Sequence, residues 1–411
     1  GGKEIGSGCD GHGANGGTIT LNANTSINTS KLDASGGDAL YNAAEMNGGH
    51  GGTINISAGT SINVSQLDLK GGIQGDTDTG KGGTLFIGNF TALLVKNISL
   101  RGSSARDTGS ASGTSGAGGN LYINGSGNIT IDLINTSSGD GDSNAGAGNI
   151  TITSNDSITV KEITAEAGGG GTTSNANGIG GIVDITAYNT LNVTTISTQG
   201  GIELTDQSGD NGGLAGPIFL TSQTGNLYFK TLKAKGGRAK TGEAGNNISL
   251  FANTIDVTNG IITTEGGRGS DTTSGSGGGS GALIFINTTF LNLTNVLLNT
   301  SGGISDGDAG NIQIIAQTGI IFGDNLSTKG GNYNTVDNPS STAKGGNISI
   351  VFNTGNITLN STNSEGGNGD ASGPAGLGGN INLITRNGFV NITRINARGG
   401  DGDTNVGGKG G

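Results

Sequence analysis

The chain has 411 residues, of which 87 are glycine, three proline, one cysteine and none tryptophan; aromatic residues make up 4%, charged residues 12%, and the net charge is −11. Aromatic and long aliphatic side chains, which fill compact globular cores, are too scarce for two or three ordinary domains, and glycine without a three-residue period excludes collagen. No basic stripe exists to neutralise nucleic-acid phosphates, no apolar run reaches the roughly 18 residues of a spanning helix, and Cys9 alone can form neither an internal disulfide nor a cysteine metal cluster.

In chain order the sequence repeats one unit twelve times, with starts near residues 17, 52, 83, 119, 148, 181, 216, 246, 282, 310, 346 and 379. Each unit opens on a glycine pair or its equivalent, as in Gly51-Gly52-Thr53-Ile54-Asn55-Ile56 and Gly118-Gly119-Asn120-Leu121-Tyr122-Ile123. The first apolar column reads Ile19, Ile54, Leu85, Leu121, Ile150, Val183, Ile218, Ile248, Ile284, Ile312, Ile348, Ile381, and a second aliphatic follows two residues on in every unit. Such period-two alternation is the mark of a strand with one buried face. A second strand follows (Ile62/Val64, Ile129/Ile131, Ile158/Val160), then a third with a large residue before a small one (Leu32/Ala34, Ile163/Ala165, Leu232/Ala234).

Identical columns in successive units, separated by bends, predict an all-β parallel β-solenoid (β-helix). It would have about twelve rungs, each of three short strands plus a Gly-rich loop, as a single array over 1–411. One such rung cannot bury its apolar face alone, so stability must come from stacking. The Gly-rich connectors, such as 102–119, 266–281 and 330–346, have the composition of flexible linkers.

The tandem G-G-N-I-x-I coils with glycine punctuation resemble the β-helical repeats of filamentous haemagglutinin-type adhesins and other Gly-rich surface proteins. That resemblance implies an extracellular or cell-surface location and a structural or adhesive role in a fibre or giant surface protein. The expected partners are further copies or rungs of the same array, and host or neighbour-cell glycans. The chain starts in a glycine loop and stops at Gly410–Gly411, where another rung would begin, so continuation or head-to-tail filament formation is expected.

Several residues carry chemistry. Aspartate pairs in glycine loops (Asp76/Asp78, Asp140/Asp142, Asp306/Asp308, Asp401/Asp403) offer hard oxygens for Ca2+, against the plainer reading of solvated turn residues; no other cofactor is expected. Asp33 and Asp68 fall in one outward column near Lys31 and Lys70, an arrangement either for acid–base chemistry on a polysaccharide or for ordinary surface charge pairing. His12 and His50 lie in glycine loops without a nucleophile, and no P-loop, metal-histidine motif or nucleophile elbow occurs, so catalysis is not expected. Asn28, Asn63, Asn192 and Asn391 head Asn-x-Ser/Thr sequons in one outward column and are candidate glycosylation sites. Asn120, Asn149, Asn247, Asn311, Asn347 and Asn380 predict a ladder of stacked amides. The outward aromatics Phe86, Tyr122, Phe219 and Phe285 share one column, either as a contact surface for a partner or sugar or as seats for loop cover, and the alternatives to a structural role are a carbohydrate-active β-helix enzyme or a glycan-binding module.

Overall fold

A computed structural model describes residues 12–39, 47–73, 79–104, 114–141, 145–169, 178–202, 211–269, 277–332, 343–369, 375–402, 407 and 410. By its contacts the chain divides into two compact units, Gly1–Thr205 and Asp206–Gly411. Each is an all-β parallel solenoid carrying six rungs, and no helix occurs among the described residues.

In the first unit the rungs are Thr18–Ala23 with Ser26–Asp33, Thr53–Ala58 with Ser61–Asp68, Thr84–Gly88 with Ala92–Ser99, Asn120–Gly125 with Asn128–Asn135, Ile150–Ser154 with Ile158–Thr164, and Val183–Ala187 with Leu191–Ser197. Equivalent strands pair in parallel and in register, so that Ile19, Ile54, Leu85, Leu121, Ile150 and Val183 stack on one another. Slipping any strand by one residue would turn its aliphatic face to water, which is what holds the register.

The second unit contains Ile218–Lys233, Ile248–Thr258 with Ile261–Thr263, Ile284–Thr294 with Leu297–Asn299, Ile312–Ser327, Ile348–Asn363, and Ile381–Asn387 with Val390–Asn396. Ile218, Ile248, Ile284, Ile312, Ile348 and Ile381 form its first buried column.

The expectation of three separate strands per rung needs correction. The second and third strands fuse, as in Ser61–Asp68, and in three rungs of the second unit a single 16-residue strand runs through every bend. The corner survives as one missing pair in the ladder: Thr29 faces Val64 and Lys31 faces Gln66, with no pairing between them. The inward residues Ile62, Val64 and Leu67 show the same corner as a spacing of two followed by three. One residue is enough to turn the backbone without giving up the ladder on either side.

Bends are fixed by local chemistry. Asn89, Asn259 and Asn295 adopt left-handed φ values of 55°, 53° and 55°, a conformation asparagine tolerates better than branched residues. Phe90 and Phe352 are fully buried, and each ring occupies the space that a side chain at Gly125 or Gly319 would need.

The Gly-rich connectors are the main departure from the linker composition. Incoming and outgoing segments lie side by side, backbone against backbone, and bond in a zigzag. In the first unit Gly37 N–H donates to the Ala14 carbonyl (2.7 Å), Gly49 to Gly37 (2.9 Å), Gly72 to Gly49 (2.8 Å), Gly80 to Gly72 (3.3 Å), Ser103 to Gly80 (3.1 Å) and Gly116 to Ser103 (3.0 Å). The second unit repeats it through Gly267, Gly279, Gly303, Gly307 and Gly331. Each segment also bonds along the stack, as Gly36 N–H does to the Lys70 carbonyl (2.8 Å). A Cβ at Gly49, Gly72 or Gly80 would overlap a neighbouring backbone atom. Glycine stands there for close approach, not for positive φ. A second set of bonds closes each coil, with Gly52 N–H on the Ala34 carbonyl, Gly83 on Leu69 and Gly119 on Leu100, all at 2.7 Å.

Candidate functional site

In the first unit the outward side chains of the first strand build a shallow groove of about 510 Å³. Pleating sends alternate residues outward, so the groove is two parallel columns. One runs Asn55, Phe86, Tyr122, Thr151; the other runs Asn22, Ser57, Gly88, Asn124, Thr153. Phe86 and Tyr122 stack with ring centroids 5.0 Å apart and planes 11° from parallel, and they remain 43% and 39% exposed. Gly88 interrupts the second column beside Phe86. Unlike the spine glycines Gly49, Gly72 and Gly80 it is not forced by packing, since a Cβ there would meet only the Asn124 carbonyl oxygen, at 3.7 Å. The gap is therefore a notch. Around it, among the described residues, the side-chain amides of Asn22, Asn55 and Asn124 make no hydrogen bond, and no charged residue lines the groove.

At the head of the first strand, asparagine is committed to the fold. Asn120 Oδ1 accepts from the backbone N–H of Asn149 (2.9 Å), and Asn149 Oδ1 from that of Ile182 (3.0 Å). In the second unit Asn247 Oδ1 accepts from Leu283 N–H, Asn311 Oδ1 from Asn347 N–H and Asn347 Oδ1 from Asn380 N–H. The ladder is thus carbonyl-to-backbone rather than amide-to-amide. At this position the side chain takes the acceptor role of the next rung's missing backbone partner. The histidines serve the same purpose: His12 Nδ1 accepts from Asn47 N–H (3.0 Å) and His50 Nδ1 from Lys81 N–H (3.1 Å).

Asp33 and Asp68 are neighbours in register, as expected. Lys31 Nζ sits 2.9 Å from Asp33 and 3.0 Å from Asp68, while Lys70 lies 3.5 Å from Asp68, which is buried. Partial burial pushes the Asp33 carboxyl up, but hydrogen bonds from Lys31 and Ser35 outweigh it and hold the group down at about 2. A general acid needs the opposite shift.

The aspartate pairs separate. Asp76, Asp78, Asp142 and Asp403 lie outside the described residues. Asp140 accepts from Gly169 N–H (2.7 Å) and faces Arg101 at 3.7 Å; Asp308 accepts from Lys344 N–H (2.7 Å); Asp401 faces Arg398 at 3.3 Å. Asp306 occupies a left-handed turn with φ 81°. Among the described residues no group of three or more His, Cys, Asp or Glu is placed to hold a metal ion.

All four sequon asparagines, Asn28, Asn63, Asn192 and Asn391, are exposed, and Asn28 and Asn63 adjoin on successive rungs. In the second unit Phe219 and Phe285 share a column but are separated by Ser249, so they do not stack. Phe251 packs edge-on against Phe285 instead, at 5.5 Å, a contact that the sequence reading missed because Phe251 stands in the adjacent outward column. Also missed was Asp324, which enters the buried face at a bulge opposite Leu359 and is fully buried. The free amides and the Gly88 notch were legible in principle, as departures from the repeat at outward positions.

Comparison with family models, with curated proteins and with solved structures yields no match to this chain.

Proposed function

We propose that the chain is a non-catalytic structural and adhesive segment of an extracellular surface fibre or giant surface protein. The observation that carries this reading is the glycine spine. In both units the described arms of the connectors pack backbone on backbone, which stiffens the repeat. Equivalent strands also keep one register from rung to rung, which suits a continuing array or filament. The resemblance to filamentous haemagglutinin-type adhesins rests on the repeat itself.

The second reading, a glycan-binding module, draws on the Phe86–Tyr122 groove. The enzyme reading draws on Asp33 and Asp68, whose lysine pairing and lowered Asp33 pKa disfavour acid catalysis. Immunogold electron microscopy of the native source, with antibody against this chain, tests the proposal. Label along surface filaments is expected; label confined to the cell interior would overturn it.

A further inference from the structure

We infer that the groove over Phe86, Gly88 and Tyr122 is a binding site for an uncharged oligosaccharide lying along the rungs. The inference rests on the adhesive half of the reading above and gives it a ligand class. Three independent features converge.

The first is the stack. Parallel rings on successive rungs turn their planes across the stacking direction. One face of Phe86 meets Tyr122, and the other is directed toward Asn55, the next residue down the column. The ring edges and the free face of Phe86 give the groove apolar surface against which the C–H bonds of a pyranose ring can pack.

The second is the notch. The spine glycines Gly49, Gly72 and Gly80 are closed off by neighbouring backbone, whereas Gly88, within a strand, faces open space at the wall of Phe86. The fold accepts a side chain there, and the equivalent residues on the adjoining rungs are Ser57 and Asn124. The missing side chain makes room for something that is not part of the chain.

The third is the set of uncommitted donors and acceptors. The Asn22, Asn55 and Asn124 amides line the groove without partners among the described residues, while Asn120, on the same rung as Asn124, bonds the next rung through its side chain. Amides and the hydroxyls of Thr151 and Thr153 pair with sugar hydroxyls and do not require charge. The absence of charged lining disfavours sulfated or uronic-acid chains, which would seek Lys or Arg. Asn22 to Thr153 covers five rungs, which is four steps of ~4.8 Å or about 19 Å, the reach of a tetrasaccharide at one step per sugar.

The test uses the full chain and neutral tetrasaccharides: cellotetraose, maltotetraose, mannotetraose and chitotetraose. Saturation-transfer NMR reports the contact and calorimetry the affinity. At least one of the four should bind, with sugar C–H protons receiving saturation from aromatic resonances. Phe86→Ala and Gly88→Val should each weaken that binding tenfold or more, with thermal unfolding unchanged for Gly88→Val. A heparin-derived tetrasaccharide should bind no better than the neutral ones. Binding by none of the four, binding unaffected by Gly88→Val, or preference for the sulfated chain would each overturn the site. Failure here leaves the immunogold result untouched, and an interior location with intact sugar binding would sink the surface reading alone.

Discussion

Asp324 provides the sharpest physical test of the second unit. Its carboxyl is fully buried; Oδ1 accepts from Val296 N–H at 2.6 Å, and Oδ2 has no partner among the described residues. Burial pushes this acid up from 3.8 to about 7, with the Val296 hydrogen bond acting the other way. The folded state therefore holds a proton that the unfolded chain releases near its ordinary value. The group contributes its full stability at acid pH, and that contribution is lost as pH rises from about 4 through about 7. A shift of roughly three units corresponds to about 4 kcal/mol. Asp324→Asn keeps the acceptor for Val296 and removes the charge, but places an amide N–H2 where Oδ2 lacks a partner, at a cost of about 1–3 kcal/mol at every pH. The variant should consequently be less stable than the parent near about pH 4 and more stable near about pH 8, with a crossover between. Denaturant unfolding of both proteins across this range measures the difference, in which the titration of all other carboxylates cancels. A difference independent of pH would refute the assignment of Asp324 as a buried, protonated acid.

Two further outcomes follow from packing. Gly80→Ala should destabilise the first unit by about 1–3 kcal/mol, because its Cβ would overlap the Gly49 carbonyl oxygen, whereas Gly88→Ala should be near neutral; equal melting shifts would contradict the spine. Ile350→Asp, at a fully buried position, should be far worse than Ser349→Asp beside it, and equal losses of thermal stability would show the inward and outward faces to be misassigned.

The inward columns were legible because each aliphatic residue recurs at a fixed place and alternates with polar neighbours, as Ile54 and Ile56 do around Asn55. Charges also pair across rungs: Lys235 lies 2.9 Å from Glu265, and Glu365 lies 3.5 Å from Lys329 and 2.6 Å from Arg398. The weight of an exposed ion pair, about 0.2–1 kcal/mol, suits the first, part-exposed pair. It understates Glu365, which the fold buries. Sequence composition hid the connectors, since glycine that is close-packed and glycine that is flexible spell the same segment. The fixed pairs Gly51–Gly52, Gly82–Gly83 and Gly118–Gly119 were the available signal. Asparagine chemistry was read correctly as a ladder but with the wrong partner, because an amide can bond a neighbour's side chain or backbone and only the corner geometry decides which. Asp324 was hidden by the bulge after Gly323 (φ 74°), which shifts the register by one residue and carries an acid to the buried face.

The central claim, that the glycine connectors are a rigid spine and not linkers, is tested most directly by amide hydrogen exchange on the folded chain. Gly49, Gly72, Gly80 and Gly116 in the first unit, and Gly267, Gly279, Gly303 and Gly331 in the second, all donate backbone bonds within the spine. Their exchange should be slowed to the same degree as that of core-strand amides such as Ile54 and Ile350 in their own units. Glycine amides exchanging at the rate of an unstructured peptide, while the strand amides stay protected, would contradict it.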